Sequence, residues 1–451
     1  MPQRRYSQVA QLRTSELLSA LSVALDLTEG QRAGHAVRTC YLSMRLADRI
    51  GLPEQARSAL YYAALLKDSG CSSNAAAVTE LFGIDDQLLK GHQATAGRSL
   101  LAMARFTVAN LPAEPLPLKA RRLIKLAVSG ERERRQVEQL RCSRGAGIAG
   151  KIGFGADVSE AIMALHENWD GRGLPQGLRH DDIPLASRII AVCAGLDVFC
   201  SDRGGVAATE VIRRRRGSWY DPALTDHLLE LCRGGVVDEI GDADLKQQVF
   251  AIEPGKLVQV ATDADIDRVA SAFADIIDAK SPYTGRHSHN VAAIADGITR
   301  GFSLSGAESL DIRRAALLHD VGKLGVPNRI LDKPGPLDAA EFAIIKRHPE
   351  LSLRILEPIE LFAGVAQIAA SHHEKLDGSG YFRGLDAERL GLSARIVSVS
   401  DVFEAMTADR PYRAPMTPEQ ALALMRKTAG NHLAADVIDR LTDTNAGALA
   451  A

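Results

Sequence analysis

The feature that most limits what this chain can fold into is a passage that occurs twice. HENWDGRGLPQGL, from His166 to Leu178, aligns with HEKLDGSGYFRGL, from His373 to Leu385, 207 positions further on. IPLASRIIAV against LGLSARIVSV keeps that offset, and so does Arg203 against Arg410. Earlier in each half the offset is 252: AGHAVRT around His35 aligns with GRHSHNV around His287, and LLKDSGC around Lys67 with LLHDVGK around His319. One insertion of 45 residues in the first half, between Asp68 and Arg141, reconciles the two offsets and takes in the Pro-rich LPAEPLPL. Shared helical periodicity would not by itself reproduce matched glycines and acids, so the pattern reads as a duplication. At 451 residues the chain is long enough for two domains. The expected division is 1–245 and 258–451, with the helical pattern broken near 240–262.

Each copy is expected to be helical. Val291, Ile294, Ala295 and Ile298 repeat at i, i+3, i+4 and i+7, and so do Val365, Ile368, Ala369 and His372. Asp338 with Glu341 ahead of Ile344 and Ile345 marks a helix start. Alternating strand patterns are scarce, so the expected class is all-α, a tandem of helical bundles. A net charge of -2 supplies no basic field for nucleic acid. The longest apolar run, Ala59 to Leu66, is too short to span a membrane. The basic N-terminus has no apolar core behind it, so no secretory signal is expected and the expected location is cytoplasmic. The six cysteines all precede His287 and form no C-x-x-C pair, which suits reduced, mostly buried thiols.

Chemistry concentrates in the second half. His287, His319, Asp320, His348, His372, His373 and Asp401 fall on the inner faces or ends of predicted helices. His348 follows Ile344 and Ile345 at helical spacing, and Asp401 follows Val397. A single buried histidine is usually a hydrogen-bonded core residue. Seven polar groups buried together would be costly without a ligand. Imidazoles and carboxylates without thiolate suit iron, manganese or zinc in a catalytic site. Seven donors are too many for one ion and suffice for two, with Asp320 the natural bridge.

The ordered set is also specific. His319-Asp320-Val321-Gly322-Lys323 resembles the HD-x-G-K motif of the HD phosphohydrolase superfamily. His372-His373-Glu374-x-x-Asp377-Gly378-x-Gly380-Tyr381 resembles the motif that defines the HD-GYP family, over about Ser281 to Tyr412. The resemblance implies an all-α domain that binds two divalent ions, iron or manganese, and hydrolyses cyclic di-GMP to pGpG and, on further cleavage, GMP. It implies one ion on His287, His319, Asp320 and Asp401, and a second on Asp320, His348, His372 and His373. Members with a third ion carry a glutamate where this chain has Tyr283, so two ions are expected. Asp320 and Lys323 are the expected catalytic residues. Lys323, Tyr381, Arg410, Tyr412 and Arg413 are the expected substrate contacts, with a solvated loop the plainer reading of the last three. His289 and His432 read as ordinary surface residues. The chain departs from the family at Phe382, where the motif has proline.

The first half retains His35, Asp68 and His166 at three of the seven positions; the others read Lys67, Arg141, Leu165 and Ala194, and Cys71 replaces the motif lysine. Metal binding by this altered set is not expected, and the half is assigned a regulatory or dimerising role. Two competing expectations are an HD phosphohydrolase acting on another cyclic nucleotide and a metal-containing binding module with little turnover. Expected partners are cyclic di-GMP, diguanylate cyclases or other signalling proteins, and a second copy of the chain.

Overall fold

A computed structural model describes residues 13–82, 84–90, 105–106, 109–110, 116–254, 261–409 and 414–443. The described residues form helices and turns, with three isolated bridges and no strand. The all-α expectation therefore holds. Six helices of the first half are α1 (Thr14–Thr28), α2 (His35–Arg49), α3 (Glu54–Leu66), α4 (Leu116–Ile152), α5 (Ala156–Met163) and α6 (Leu185–Arg203). Six of the second are α7 (Asp263–Asp278), α8 (His287–Thr299), α9 (Gly306–Leu318), α10 (His348–Leu356), α11 (Ala363–Ala369) and α12 (Leu392–Thr407). They correspond one to one at the two sequence offsets. α4 runs well N-terminal to the part that matches α10, and that extension belongs to the insertion.

Local chemistry sets the ends. Ser305 and Glu308 form a capping box at the start of α9, and Thr262 and Asp265 one at α7. The Asp338 cap also forms as expected, but the helix it opens, Ala339–Ile345, stops before His348. His348 instead begins α10, with Pro349 in its first turn. Proline is tolerated there and would disrupt a helix running through from Ile345. His372 likewise lies in the turn beyond α11 rather than on it. The join is less irregular than its sequence suggests, since Leu245–Ala251 is helical.

The halves pack reciprocally. α1 lies against α10 and the 3-10 turn Val321–Gly325 of the second half, while α7 lies against α4 and the corresponding turn Cys71–Asn74 of the first. Buried residues of both, among them Leu17, Leu21, Phe273 and Leu318, belong to one continuous apolar core. Polar links cross the same seam. Gln87 Nε2 donates to the Leu324 carbonyl at 3.1 Å, and the Asn328 amide to Asp86 Oδ1 at 3.3 Å. No helix among the described residues is long and apolar enough to cross a membrane.

Candidate metal centre

The repeated turn brings the ligand-bearing segments together. A Cβ on Gly322 would sit 2.0 Å from the His348 carbonyl oxygen, so only glycine lets the Val321–Gly325 turn lie on the start of α10. The first half has the same approach, Gly70 against the Arg141 carbonyl at 1.9 Å. A Cβ on Gly380 would meet Glu374 Cα at 2.4 Å, and the buried Glu374 carboxylate accepts from the Arg383 and Leu385 amides at 2.7 and 2.9 Å. That carboxylate closes the loop after His372 and His373.

On this frame the seven expected donors meet. His287 starts α8, His319 and Asp320 follow α9, His348 starts α10, His372 and His373 follow α11, and Asp401 lies within α12. All are buried except His373, which is partly so. The two oxygens of Asp320 face different groups. His287 and His319 bring their Nε2 atoms to 3.5 and 3.3 Å from Oδ2, and Asp401 Oδ1 is 3.3 Å from His287 Nε2. His348 and His372 bring theirs to 3.3 and 3.7 Å from Oδ1. The His373 ring centroid lies 4.0 Å from that of His372, with the ring planes inclined at 44°. Potential ligand atoms thus cluster as His287, His319 and Asp401 on one side and His348, His372 and His373 on the other.

The outer nitrogens fix the rings. Nδ1 of His319, His348 and His372 lies 2.8, 2.7 and 2.6 Å from the carbonyls of Ala316, Ile345 and Ala369. A carbonyl only accepts, so each Nδ1 carries a proton and each Nε2 is directed inward. His287 Nδ1 is 2.5 Å from Glu404 Oε2. Sequence reasoning missed Glu404, although it lies one helical turn beyond Asp401.

These geometries fit divalent ions. His348 and His372 set their Nε2 atoms 3.1 Å apart. Burial, with the neighbouring His373 and His319 rings, pushes His372 well below the usual imidazole range, and burial pushes His348 down. Two lone pairs then face each other, an arrangement a shared cation relieves. His319 Nε2 and Asp320 Oδ1 are buried without a hydrogen-bond partner among the described residues. Burial pushes His373 down to about 3, with His348 adding to it, which keeps that ring neutral and able to ligate. Burial opposes charge on Asp320, but His319 and Lys323 outweigh it and hold the carboxyl well below its usual range. The donor set of imidazole and carboxylate suits iron, manganese or zinc.

Around the centre, Lys323 Nζ lies 2.5 Å from Asp320 Oδ2 and is partly exposed. The Tyr381 ring stacks on His373 at 4.8 Å, and Lys346 Nζ stands 5.4 Å from its centroid. Phe382 carries the Arg383 guanidinium at 5.3 Å. Arg410, Tyr412 and Arg413 lie outside the described residues. His289 is less exposed than a surface reading implies: its Nε2 is 2.7 Å from Asp275. His432 is half-buried beside Asp377.

The HD domain family matches residues 108–224 and again 271–437. A Vibrio cholerae protein named 3′3′-cGAMP-specific phosphodiesterase 3 is 39% identical over 92% of this chain and 90% of its own length. This chain belongs to the HD domain family. A crystal structure of a cyclic GMP-AMP specific phosphodiesterase from V. cholerae superposes with a TM-score of 0.66 and 34% identity, covering 96% of this chain and 97% of the other. A Thermotoga maritima cyclic di-GMP phosphodiesterase is 41% identical, but over 35% of this chain and 43% of its own. The HD-x-G-K sequence and the histidine pair of this HD protein both fall within the second matched stretch.

In the first half the equivalent centre is filled by cations. Arg141 Nη2 lies 2.9 Å from Glu29 Oε2 and 3.5 Å from Asp68 Oδ1, Lys67 pairs with Asp68, and Lys90 Nζ is 3.4 Å from Glu29 Oε1. The support around one retained position persists. Asp197 holds His35 Nδ1 at 2.6 Å, as Glu404 holds His287.

Proposed function

We propose that this chain is a cytoplasmic, metal-dependent phosphodiesterase of cyclic dinucleotides, with 3′3′-cyclic GMP-AMP its preferred substrate. The observation that carries the reaction class is the division of four imidazoles between the two oxygens of Asp320, with Asp401 joining one cluster and His373 the other. One ion would rest on His287, His319, Asp320 and Asp401, the other on Asp320, His348, His372 and His373. Bound there, iron or manganese would neutralise the scissile phosphate and make water a competent nucleophile near neutral pH. Asp320 keeps its charge at neutral pH and offers one oxygen to each side. Lys323 puts a cation at the edge of the centre, where it meets a non-bridging phosphate oxygen or the leaving 3′-oxygen. Tyr381 offers a ring face beside His373 for a base, and Arg410, Tyr412 and Arg413 are proposed to hold the second phosphate and base.

The preference for the mixed dinucleotide is supported by similarity that runs through both halves to a relative named for it, whereas the Thermotoga cyclic di-GMP enzyme aligns with little more than a third of the chain. Cyclic di-GMP, cleaved to pGpG and then GMP, is the second reading, favoured by the HHE-x-x-D-G-x-G-Y pattern. In both readings residues 258–451 carry hydrolysis, and residues 1–245 serve a regulatory or dimerising role without it. Protein purified anaerobically and supplied with iron(II) or manganese(II) should be offered both compounds and the products separated by chromatography. Faster loss of the mixed compound, with a linear dinucleotide formed, is expected. Faster loss of cyclic di-GMP would reverse the order, and loss of neither would refute the enzymatic reading.

A further inference from the structure

The first half retains one former ligand position that its ion pairs leave unused. Arg141 turns to Glu29 and Asp68, but the retained His166 does not join that network. His166 instead meets Cys142 and Glu138, which stand one turn apart on α4. One potential ligand atom from each of the three lies within 4.8 Å of the others. Cys142 is buried and in no disulfide. Glu138 Oε2 is buried with no hydrogen-bond partner among the described residues. Burial pushes the His166 imidazole down, with the Arg141 charge adding to this, so its ring is neutral and its lone pair available.

Thiolate, imidazole and carboxylate together form a donor set that the second-half centre lacks. They are borderline-soft donors and favour zinc over magnesium, calcium or manganese. We propose that Cys142, His166 and Glu138 bind a single zinc-class divalent ion, in a site displaced from the inactive first-half centre. Three protein donors leave a fourth position for water. The ion would clip the C-terminal part of α4 to the segment following α5, where the first half no longer has a metal centre to join them. Binding exchanges the Cys142 thiol proton for the metal, and that proton passes to solvent. This site is independent of the one proposed for hydrolysis.

The placement of the cysteines gives a selective probe. All six precede residue 233 and none lies in the second half. Thiolate-to-cobalt charge-transfer absorption therefore reports on the first half alone, whatever the other centre binds. Chelator-stripped full-length protein should be titrated with cobalt(II) in thiol-free anaerobic buffer. The expected result is a charge-transfer band that saturates at one sulfur-bound cobalt per chain, disappears in Cys142→Ser and survives in Cys71→Ser. Glu138→Gln and His166→Asn should each weaken the binding that produces the band by roughly tenfold or more. Should circular dichroism show Cys142→Ser unfolded, those two variants carry the test. No band in the native chain, a band that persists in folded Cys142→Ser, or unchanged affinity in both Glu138→Gln and His166→Asn would overturn the proposal.

Discussion

At the scale of single residues, the duplicated passage separates two kinds of motif position. Gly70 and Gly322 make the same close approach to a carbonyl. Glu167 accepts from the Gln176 amide at 2.7 Å, and Glu374 from that of Arg383 at 2.7 Å. These positions shape the backbone and are retained in both copies. The seven proposed ligand positions are kept less well: four of them read Lys67, Arg141, Leu165 and Ala194 in the first copy. Asp320 faces both donor groups, so Asp320→Ala should abolish hydrolysis and lower metal content measured by mass spectrometry; near-native turnover would refute the mechanism. Lys323→Ala should keep the metal and slow turnover, since its charge is proposed to act on phosphate. Glu404→Ala should free the His287 ring and weaken metal binding by roughly 10- to 100-fold, measured by competition with a chelator; unchanged affinity would show that Glu404 does not orient the ligand.

At the scale of elements, α10 and the end of α4 show how one backbone serves two chemistries. His348 opens α10 and points to Asp320, whereas Arg141 at the matching place neutralises Glu29 and Asp68. Charges buried in this way are stable only as a set. Arg141→Ala should leave Glu29 and Asp68 short of a cation and destabilise the chain by roughly 3–5 kcal/mol, the range for breaking a buried pair. Chemical denaturation at neutral pH would measure this. A change below about 1 kcal/mol would mean that water enters and screens the site. The same element also shows where sequence periodicity misleads. Ile344, Ile345 and His348 have helical spacing, but two helices meet there, because Pro349 cannot donate to the preceding turn.

At the scale of the whole molecule, the two halves are neighbours in space as well as in sequence. α1 covers α10 and the turn that carries Lys323, and the apolar core runs through both halves. Full-length protein should therefore unfold in one cooperative calorimetric transition. Residues 258–451 expressed alone should expose the apolar surface that α1 covers and bind a hydrophobic dye. Two separated transitions in the intact chain, with a well-folded isolated second half, would show that the halves are independent.

The sequence alone determined the helical class, the duplication, the seven candidate donors and their partial replacement in the first half, because those rest on residue identity, spacing and periodicity, all of them local. The Phe382 substitution was equally visible there. Which oxygen of Asp320 faces which histidines was decided by the tertiary structure, as was the outer role of Glu404, which lies 117 positions from His287. The packing of α1 across the seam and the meeting of His166 with Cys142 and Glu138 belong to the same class. Each depends on distances between segments far apart in the chain. Spacing along one helix constrains which side chains share a face, but not which distant segment that face will meet.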